Sequence, residues 1–231
     1  MLIEISPSIK RINLRKTNCY LIKNNDDYFL IDTGWKNQRS EIERYLIEAG
    51  VKKDNLKLII LSHGDFDHIG NANYLRKLFN SKILMHRNDI KMAEEGDMFY
   101  KREGSKLIIK IIARVFLKIL RLDLKKEDRF TPDIVMSEEM ELKEFGLEAK
   151  LIELPGHSKG SIGIFKDGNL FCGDLLELDK KGEPKQFGLM DCKKDFKISM
   201  NKIKDLKAIS IYPGHGDSFK KESIPFKKLN T

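Results

Sequence analysis

Short apolar runs separated by polar turns fill the first part of the chain. The runs at residues 2–5, 9–14, 17–23 and 28–32 have the length and the β-branched or aromatic content of strands. The polar stretch 24–27 between the last two runs predicts a hairpin turn. The chain is therefore expected to begin as an antiparallel sheet.

Apolar residues at helical spacing come next and alternate with further short runs. Ile42, Leu46 and their neighbours predict a helix over residues 38–49, which Gly50 ends. A second helix is predicted over residues 71–79 and is followed by a strand at 82–85. This alternation of helix and strand is typical of a layered α/β (α+β) fold.

The strand pattern returns from residue 134 onward. Strands are predicted at 141–145, 148–154, 161–165 and 170–172, with turns at Gly146 and 166–169. A helix over 193–206, capped by Asp191, precedes a last strand at 208–212. No linker rich in Pro, Gly or Ser separates the two halves, so one domain is expected over residues 1–231.

The segment between the two strand-rich halves breaks this alternation. Within residues 106–122, 12 of 17 residues are apolar, and basic residues recur every fourth position as one stripe of a predicted helix: Lys106, Lys110, Arg114 and Lys118. So wide an apolar face has to be buried against the chain's own core, a second subunit, a membrane surface or the substrate. We expect residues 92–132 to form a helical cap that lines an apolar pocket, and pairing with a second subunit is an open alternative.

Composition narrows the class of protein. The chain has 231 residues, of which 41% are hydrophobic and 34% charged, as in folded globular proteins. Its net charge of +8 favours anionic partners, but the lysines are scattered, so no nucleic-acid partner is predicted. Three distant cysteines indicate a reducing compartment. With neither a leader pattern nor a run of about 18 apolar residues, no membrane span is expected, and the predicted location is the cytoplasm.

One stretch, LIILSHGDFDHIG at residues 58–70, concentrates histidine and aspartate. Its four leading apolar residues predict a buried strand, and His63, Asp65, Asp67 and His68 follow within six positions. These side chains offer the nitrogen and oxygen atoms that metal ions prefer. Taken alone, the stretch also fits a solvated loop in which carboxylates hydrogen-bond two histidines.

Later residues favour the metal site over the solvated loop. His157 and His215 stand in small-residue loops that follow apolar runs, and Asp174 directly follows another run. The fifth histidine, His86, begins a connection after a strand and is expected to be a structural or surface residue rather than a ligand. Cys172 is expected to be a buried thiol.

Taken in order, these motifs resemble those of the metallo-β-lactamase-fold hydrolase superfamily. The resemblance rests on five motifs: LIDTG at 30–34, SHGDFDHIG at 62–70, PGHSKGS at 155–161, FCGDLL at 171–176 and YPGHG at 212–216. The resemblance implies a four-layer αββα sandwich with a helical insertion. It also implies that His63, Asp65 and His157 hold one metal ion, that Asp67, His68 and His215 hold a second, and that Asp174 bridges them.

The chain departs from the family at one ligand. The usual first motif is His-x-His-x-Asp-His, and Asp65 stands where its second histidine would be. With two divalent ions, a bridging hydroxide and three carboxylates the formal charges cancel, whereas a histidine at position 65 would leave one positive charge. Zinc is the family's metal, but the added oxygen ligand tilts selection toward iron or manganese.

The resemblance and the ligand count together predict a hydrolase. Seven donors are too many for one ion with an open position, so two ions and a bridging hydroxide are expected to cleave an ester, lactone, thioester or phosphodiester, with Asp67 carrying the proton. The substrate is expected to be a small molecule with an anionic or acyl group. An iron-dependent oxygen-using enzyme of the same fold (a persulfide dioxygenase or diiron oxidoreductase), a nuclease and a non-catalytic metal-binding protein stay open as alternatives.

Overall fold

Two β-sheets pack face to face in the computed structural model, which describes residues 1–104 and 106–229. The strands of the first sheet are adjacent in chain order: β1 (Leu2–Ser6), β2 (Ile9–Leu14), β3 (Thr17–Asn24), β4 (Asp27–Ile31), β5 (Leu56–Ile60), β6 (Lys82–His86) and β7 (Ile134–Met136). The first four pair antiparallel, and β4 to β7 pair parallel. The predicted antiparallel start of the chain is therefore confirmed.

The second sheet comes from the later half of the chain. In chain order the strands are β8 (Met140–Glu141), β9 (Lys150–Glu153), β10 (Ile162–Lys166), β11 (Asn169–Gly173), β12 (Leu176–Leu178), β13 (Pro184–Gln186), β14 (Ser210–Pro213) and β15 (Phe219–Lys220). The sheet order is β15-β14-β11-β10-β9-β8, and β12 pairs only with β13. Because β11 and β14 are parallel and β9 runs in the same direction as β11, these three strands end at one edge of the sheet.

Seven α-helices complete the described part of the chain: α1 (Arg39–Glu48), α2 (Phe66–Ile69), α3 (Ala72–Phe79), α4 (Ile90–Glu95), α5 (Leu107–Ile119), α6 (Lys193–Asp205) and α7 (Phe226–Leu229). The apolar sides of α1 and α3 pack on the outer face of the first sheet. Phe196, Met200 and Ile203 of α6 pack on the outer face of the second sheet. The order helix, sheet, sheet, helix is the four-layer αββα sandwich that was predicted.

Alternation along the central strands explains this layering. In β4 and β5, Phe29, Ile31, Leu58 and Ile60 point into the core between the sheets, while the residues between them point toward the helices. The second sheet contributes Phe171, which contacts Tyr20 and Tyr212 at ring-centroid distances of 4.8 and 5.2 Å. The Tyr20 hydroxyl donates a hydrogen bond to the Pro213 carbonyl at 2.7 Å and so joins the two sheets.

Two details of the predicted elements are wrong. The strand expected at 141–145 is shorter, because residues Lys143–Phe145 form a 3-10 turn that ends at Gly146 with φ +85°. Asp191 does not cap α6, whose N-cap is Cys192. The Asp191 carboxylate instead accepts hydrogen bonds from the backbone N–H groups of Glu103 and Gly104.

Helix α5 presents most of its apolar side chains to solvent. Nine apolar residues between Leu107 and Leu120 are 45–72% exposed, and only Ala113 and Leu117 pack against the helix-side core of the first sheet. Lys110 and Arg114 turn inward instead, where they bind the Arg102 carbonyl and the Asp97 carboxylate. The described part of the chain thus leaves this apolar face uncovered, and none of its helices is long and apolar enough to span a membrane.

We expect Phe171→Ala to lower the free energy of unfolding by about 3–5 kcal/mol, because the truncation leaves a cavity between the sheets. The matched control is Phe116→Ala on α5, where the ring is 59% exposed and the change should stay within about 0.5 kcal/mol. Urea unfolding followed by circular dichroism measures both. Equal losses in the two variants would contradict this assignment of the core.

Candidate metal centre

All seven predicted ligands lie beyond the carboxyl ends of strands and come together between the two sheets. His63 and Asp65 follow β5, Asp67 and His68 lie in α2, His157 follows β9, Asp174 follows β11 and His215 follows β14. Six of them are buried or nearly so, and His215 is partly exposed. The structure therefore assembles this cluster from both halves of the chain.

The first group of donors, here the first subsite, consists of His63, Asp65 and His157. The Oδ2 atom of Asp65 lies 3.7 Å from Nε2 of His63 and 3.1 Å from Nε2 of His157. One ligand atom from each residue lies within 4.8 Å of the others. This spacing suits three donors around one ion.

The second subsite consists of Asp67, His68 and His215. The Oδ2 atom of Asp67 lies 3.2 Å from Nε2 of His215 and 3.6 Å from Nε2 of His68. Adjacent side chains of an extended loop would diverge, but Asp67 and His68 both point to this subsite, because residues Phe66–Ile69 form a helical turn.

Asp174 lies between the subsites. Its Oδ1 atom is 3.3 Å from Nε2 of His68, and its Oδ2 atom is 3.1 Å from Nε2 of His215 and 3.8 Å from Nε2 of His63. Gly214 permits this approach, since a Cβ atom there would lie 2.3 Å from Oδ1 of Asp174. A carboxylate in this position can contact an ion in either subsite.

The tautomer of each histidine follows from the partner of its Nδ1 atom. Nδ1 of His157 donates to the Leu189 carbonyl, and Nδ1 of His215 donates to the Lys16 carbonyl at 2.7 Å. A carbonyl oxygen only accepts hydrogen bonds, so both rings carry their proton on Nδ1. Their Nε2 lone pairs consequently face the cluster.

Asp32 fixes the other two rings. It accepts a hydrogen bond from Nδ1 of His68 at 2.9 Å and another from the Ser62 hydroxyl at 2.7 Å. Because the Ser62 hydroxyl donates to Asp32, its lone pair accepts from Nδ1 of His63 at 2.9 Å. Asp32 belongs to the LIDTG motif and adopts φ +60°, which Asp tolerates better than most residues.

Four imidazole lone pairs therefore face three carboxylates in one buried cluster. Pairs of acceptors such as Nε2 of His157 and Oδ2 of Asp65, 3.1 Å apart, repel each other unless a cation or a proton lies between them. Nε2 of His63 and Oδ1 of Asp174 are buried with no hydrogen-bond partner in the described chain. Buried nitrogen and oxygen atoms that lack a hydrogen-bond partner are the kind of ligand atom that divalent metal ions bind.

The profile of the metallo-beta-lactamase superfamily matches residues 12–215 of this chain. The chain belongs to that superfamily. Among its relatives, the probable metallo-hydrolase MJ0888 of Methanocaldococcus jannaschii is 26% identical over 216 residues, which cover 92% of this chain and 94% of that protein. The hydroxyacylglutathione hydrolase GloC of Haemophilus influenzae is 29% identical over 180 residues, covering 76% and 72%.

Solved structures of the metallo-beta-lactamase superfamily share the fold. The family protein TTHA1429 from Thermus thermophilus aligns with a TM-score of 0.69 at 20% identity, over 98% of this chain and 79% of that one. The protein ST1585 from Sulfolobus tokodaii aligns with a TM-score of 0.68 at 20% identity, over 97% and 85%. The family and the fold predicted from the motifs are thereby confirmed.

Buried charges in the candidate centre shift the pKa values of its histidines in opposite directions. Burial and the neighbouring His68 and His157 hold the pKa of His63 well below its usual value, so that ring is neutral. Burial alone would also lower the pKa of His215, but the carboxylates of Asp174 and Asp67 raise it to about 10. In the absence of a metal ion, protons on such histidines balance the carboxylates.

Arg102, from the segment before α5, is a member of the centre that sequence reasoning missed. Its Nη2 atom donates to Oδ1 of Asp65 at 2.6 Å and lies 3.3 Å from Nε2 of His157. Burial would raise the pKa of Asp65, but Arg102 and His157 hold it well below its usual range. No signal in the sequence connects Arg102 with the ligand motifs, because it stands 37 positions from Asp65 in the chain.

A cleft of about 630 Å³ opens onto the second subsite, which is a typical size for a small-molecule site. Its walls include Asp67, His215, Trp35 and Phe187. The ring of Phe187 stacks on His215 at 5.2 Å. Trp35 and Phe187 were not predicted, because neither lies in a motif and only the fold brings them to the ligands.

The remaining candidates lie outside the centre. His86 is buried and pairs with Oε1 of Glu153 at 3.1 Å, away from the candidate metal groups of the described residues. Cys172 faces the core under α6, and burial raises the pKa of its thiol to about 12. Both residues therefore have the structural environment that was expected for them.

Metal-stripped protein should lose stability as the pH rises from about 6.5 to about 10. In the folded chain His215 holds its proton up to a pKa of about 10, whereas an unperturbed histidine loses it near 6.5. Its ion pairs therefore stabilise the fold fully below pH 6.5 and are lost as the pH passes 10. Thermal unfolding in a chelator, at a series of pH values, measures this loss.

His215→Gln is the matched variant for that measurement. It removes the titrating group, so its stability should fall less steeply across the same pH range, with His68 accounting for the rest because its pKa is also raised. Identical slopes in the two proteins would contradict the assignment of the proton to His215.

Asp32→Asn should weaken zinc binding by about 10–100-fold, because it removes the charge and one of the two oxygens that orient His68 and Ser62. Asn also tolerates a positive φ, so the backbone should be unchanged. Titration against a chromophoric chelator gives the affinity. Asp26→Asn, in the exposed turn between β3 and β4, is the control and should bind zinc as the wild type does.

Proposed function

We propose that this protein is a metal-dependent hydrolase that binds two divalent ions through the seven side chains of the centre and cleaves an ester or thioester. One observation carries the proposal: four imidazole lone pairs and three carboxylates converge beside an open cleft. Such a donor set, far larger than a structural site needs, suits a centre that keeps positions for water and substrate.

Divalent ions in these subsites would supply Lewis acidity and lower the pKa of a coordinated water from about 15.7 toward 7, so that hydroxide is available at neutral pH. His63, Asp65 and His157 would hold one ion, and Asp67, His68 and His215 the other, with Asp174 between them. Zinc is the first candidate metal because of the family resemblance. Iron or manganese is the alternative, because the oxygen ligand of Asp65 suits those ions better than a nitrogen ligand would.

Asp67 is the residue proposed to carry the proton. Its side chain is 13% exposed and lines the cleft, so it lies between the ligand cluster and the space a substrate would occupy. The Thr17 hydroxyl donates to its Oδ2 atom at 3.4 Å, which helps to fix the carboxylate. A carboxylate held in this way can accept the proton of the attacking water and deliver it to the leaving group.

The walls of the cleft support a substrate with an acyl and an anionic part. Trp35 and Phe187 offer aromatic surface, while Arg15 and Lys16 add positive charge. The relative named hydroxyacylglutathione hydrolase, 29% identical over 180 residues, favours a thioester among the candidate bonds. We therefore propose a small anionic acyl thioester or ester as the substrate class.

We further propose that residues 92–132 form a cap within a single domain over residues 1–231. This segment contacts the centre through Arg102, while its most apolar part, α5, lies outside with its face exposed. Its contribution to the site would then be polar. Pairing of two chains through α5 and a cytoplasmic location both stay predictions.

A panel of substrates tests the proposed reaction. Zinc- and manganese-loaded protein should hydrolyse acyl thioesters and esters faster than phosphodiesters, and a chelator should abolish the activity. Oxygen consumption with persulfide substrates would support the oxygen-using alternative instead. Faster cleavage of phosphodiesters or nucleic acid than of any ester would contradict the proposal.

Asp67→Asn is the matched variant for this panel. The amide keeps the shape of the side chain but loses the charge and the basic oxygen, so kcat should fall by about 100-fold or more. Metal content measured in parallel separates a lost ligand from a lost proton acceptor. Wild-type kcat in this variant would exclude Asp67 from both roles.

A further inference from the structure

The first subsite contains a cation supplied by the chain itself. Arg102 is only 5% exposed, and its guanidinium lies against two of the three ligands, Asp65 and His157. Its Nε and Nη1 atoms are buried without a partner in the described chain. A surface arginine that happened to contact the site would keep these atoms in water, so the position is one the fold imposes.

The backbone on both sides of Arg102 is anchored. The Asp191 carboxylate accepts hydrogen bonds from the N–H groups of Glu103 and Gly104, and Lys110 donates to the Arg102 carbonyl. The N–H group of Arg102 donates to the Phe99 carbonyl at 3.3 Å. These contacts fix the backbone from which the guanidinium reaches the subsite.

Arg102 and a metal ion compete for the same atom. Since Nδ1 of His157 carries the ring proton, Nε2 has a single lone pair, and Nη2 of Arg102 lies 3.3 Å from it. An ion in the first subsite needs that lone pair, so the guanidinium must give up this contact when the ion enters. Among the described residues, no lysine or arginine forms an ion pair with a ligand of the second subsite.

The charges of Asp65 and Arg102 also make the two residues depend on each other. The pair formed by Asp65 and Arg102 is neutral, as is the histidine that the superfamily's usual motif has at position 65. Removal of only one member of the pair changes the charge of the centre by one unit, whereas removal of both restores it. The effect of a substitution at position 65 therefore depends on whether Arg102 is present.

We propose that Arg102 controls occupancy of the first subsite, so that the second subsite fills first and the first binds its ion more weakly. The proposal rests on the proposed two-metal function. It adds that the two ions bind with unequal affinity because of Arg102, a residue outside the ligand motifs. Arg102 is a positioning residue here: it holds Asp65 and His157 in place and yields one contact as the ion binds.

Calorimetric titration of chelator-stripped protein with zinc chloride tests the inference. Wild-type protein should bind one ion tightly and a second at least ten-fold more weakly. Arg102→Met, which keeps the length but loses the charge and the donors, should strengthen the second binding event by about 10–100-fold, because the repelling positive charge beside the ion is removed. Arg114→Gln, which alters another arginine of the same segment that is paired with Asp97, is the control and should behave as the wild type does.

A double-mutant cycle gives a sharper outcome. Asp65→His alone leaves Arg102 without its carboxylate beside neutral imidazoles, so the second ion should bind more weakly than in the wild type. Asp65→His in the Arg102→Met background recreates the usual motif without a competing cation, so the second ion should bind more tightly. The same substitution thus changes sign, which a merely structural role of Arg102 would not produce.

Two equal binding events in the wild-type protein would overturn the proposal without the need for any variant. It would also be overturned if Arg102→Met left the second affinity unchanged, or if Asp65→His had the same effect in both backgrounds. If Arg102→Met does not fold, as judged by circular dichroism, the wild-type titration and Arg102→Lys decide, because lysine keeps the charge and should keep the second ion weak. A failure to hydrolyse any substrate would leave these affinities untouched and would count only against the proposed function.

Discussion

Hydrogen bonds on the far side of four imidazole rings determine what the centre can do. The Nδ1 atoms of His63, His68, His157 and His215 all donate away from the cluster, to a hydroxyl, a carboxylate and two backbone carbonyls. Each neutral ring then presents its Nε2 lone pair to the cluster, and a metal ion or a proton makes that arrangement favourable. The partners themselves belong to the ends of strands and the loops that follow, so the sandwich determines the protonation of the ligands.

The sequence was sufficient for most of the fold, because strand alternation and helical spacing are local signals. Residues 28–31 and 58–60 could be assigned from their apolar runs, and the parallel order of their strands follows from the helix between them. Short elements escaped prediction. The hairpin of β12 and β13, for example, lies in a polar stretch where pairing depends on contacts with the rest of the chain.

The candidate ligands were also predictable, since each follows an apolar run and stands beside glycine or serine in a recognisable order. The residues that surround these ligands and orient them were not predicted. Ser62 and Asp32 act through hydrogen bonds across 30 residues, and Arg102 reaches Asp65 across 37. No spacing rule connects such pairs, so only the fold brings them together.

The placement of the ligands has a consequence for the chain as a polymer. His63 and His215 are far apart in the sequence and follow strands of different sheets, yet both contribute to one cluster. An ion bound between them would hold the two halves of the chain together in the folded state only, and at a free ion concentration 100 times the dissociation constant it would stabilise the fold by about 2.7 kcal/mol. Metal supply would then set the lifetime of the folded protein as well as its activity, and a cell short of metal would lose the protein to proteolysis as well as the reaction.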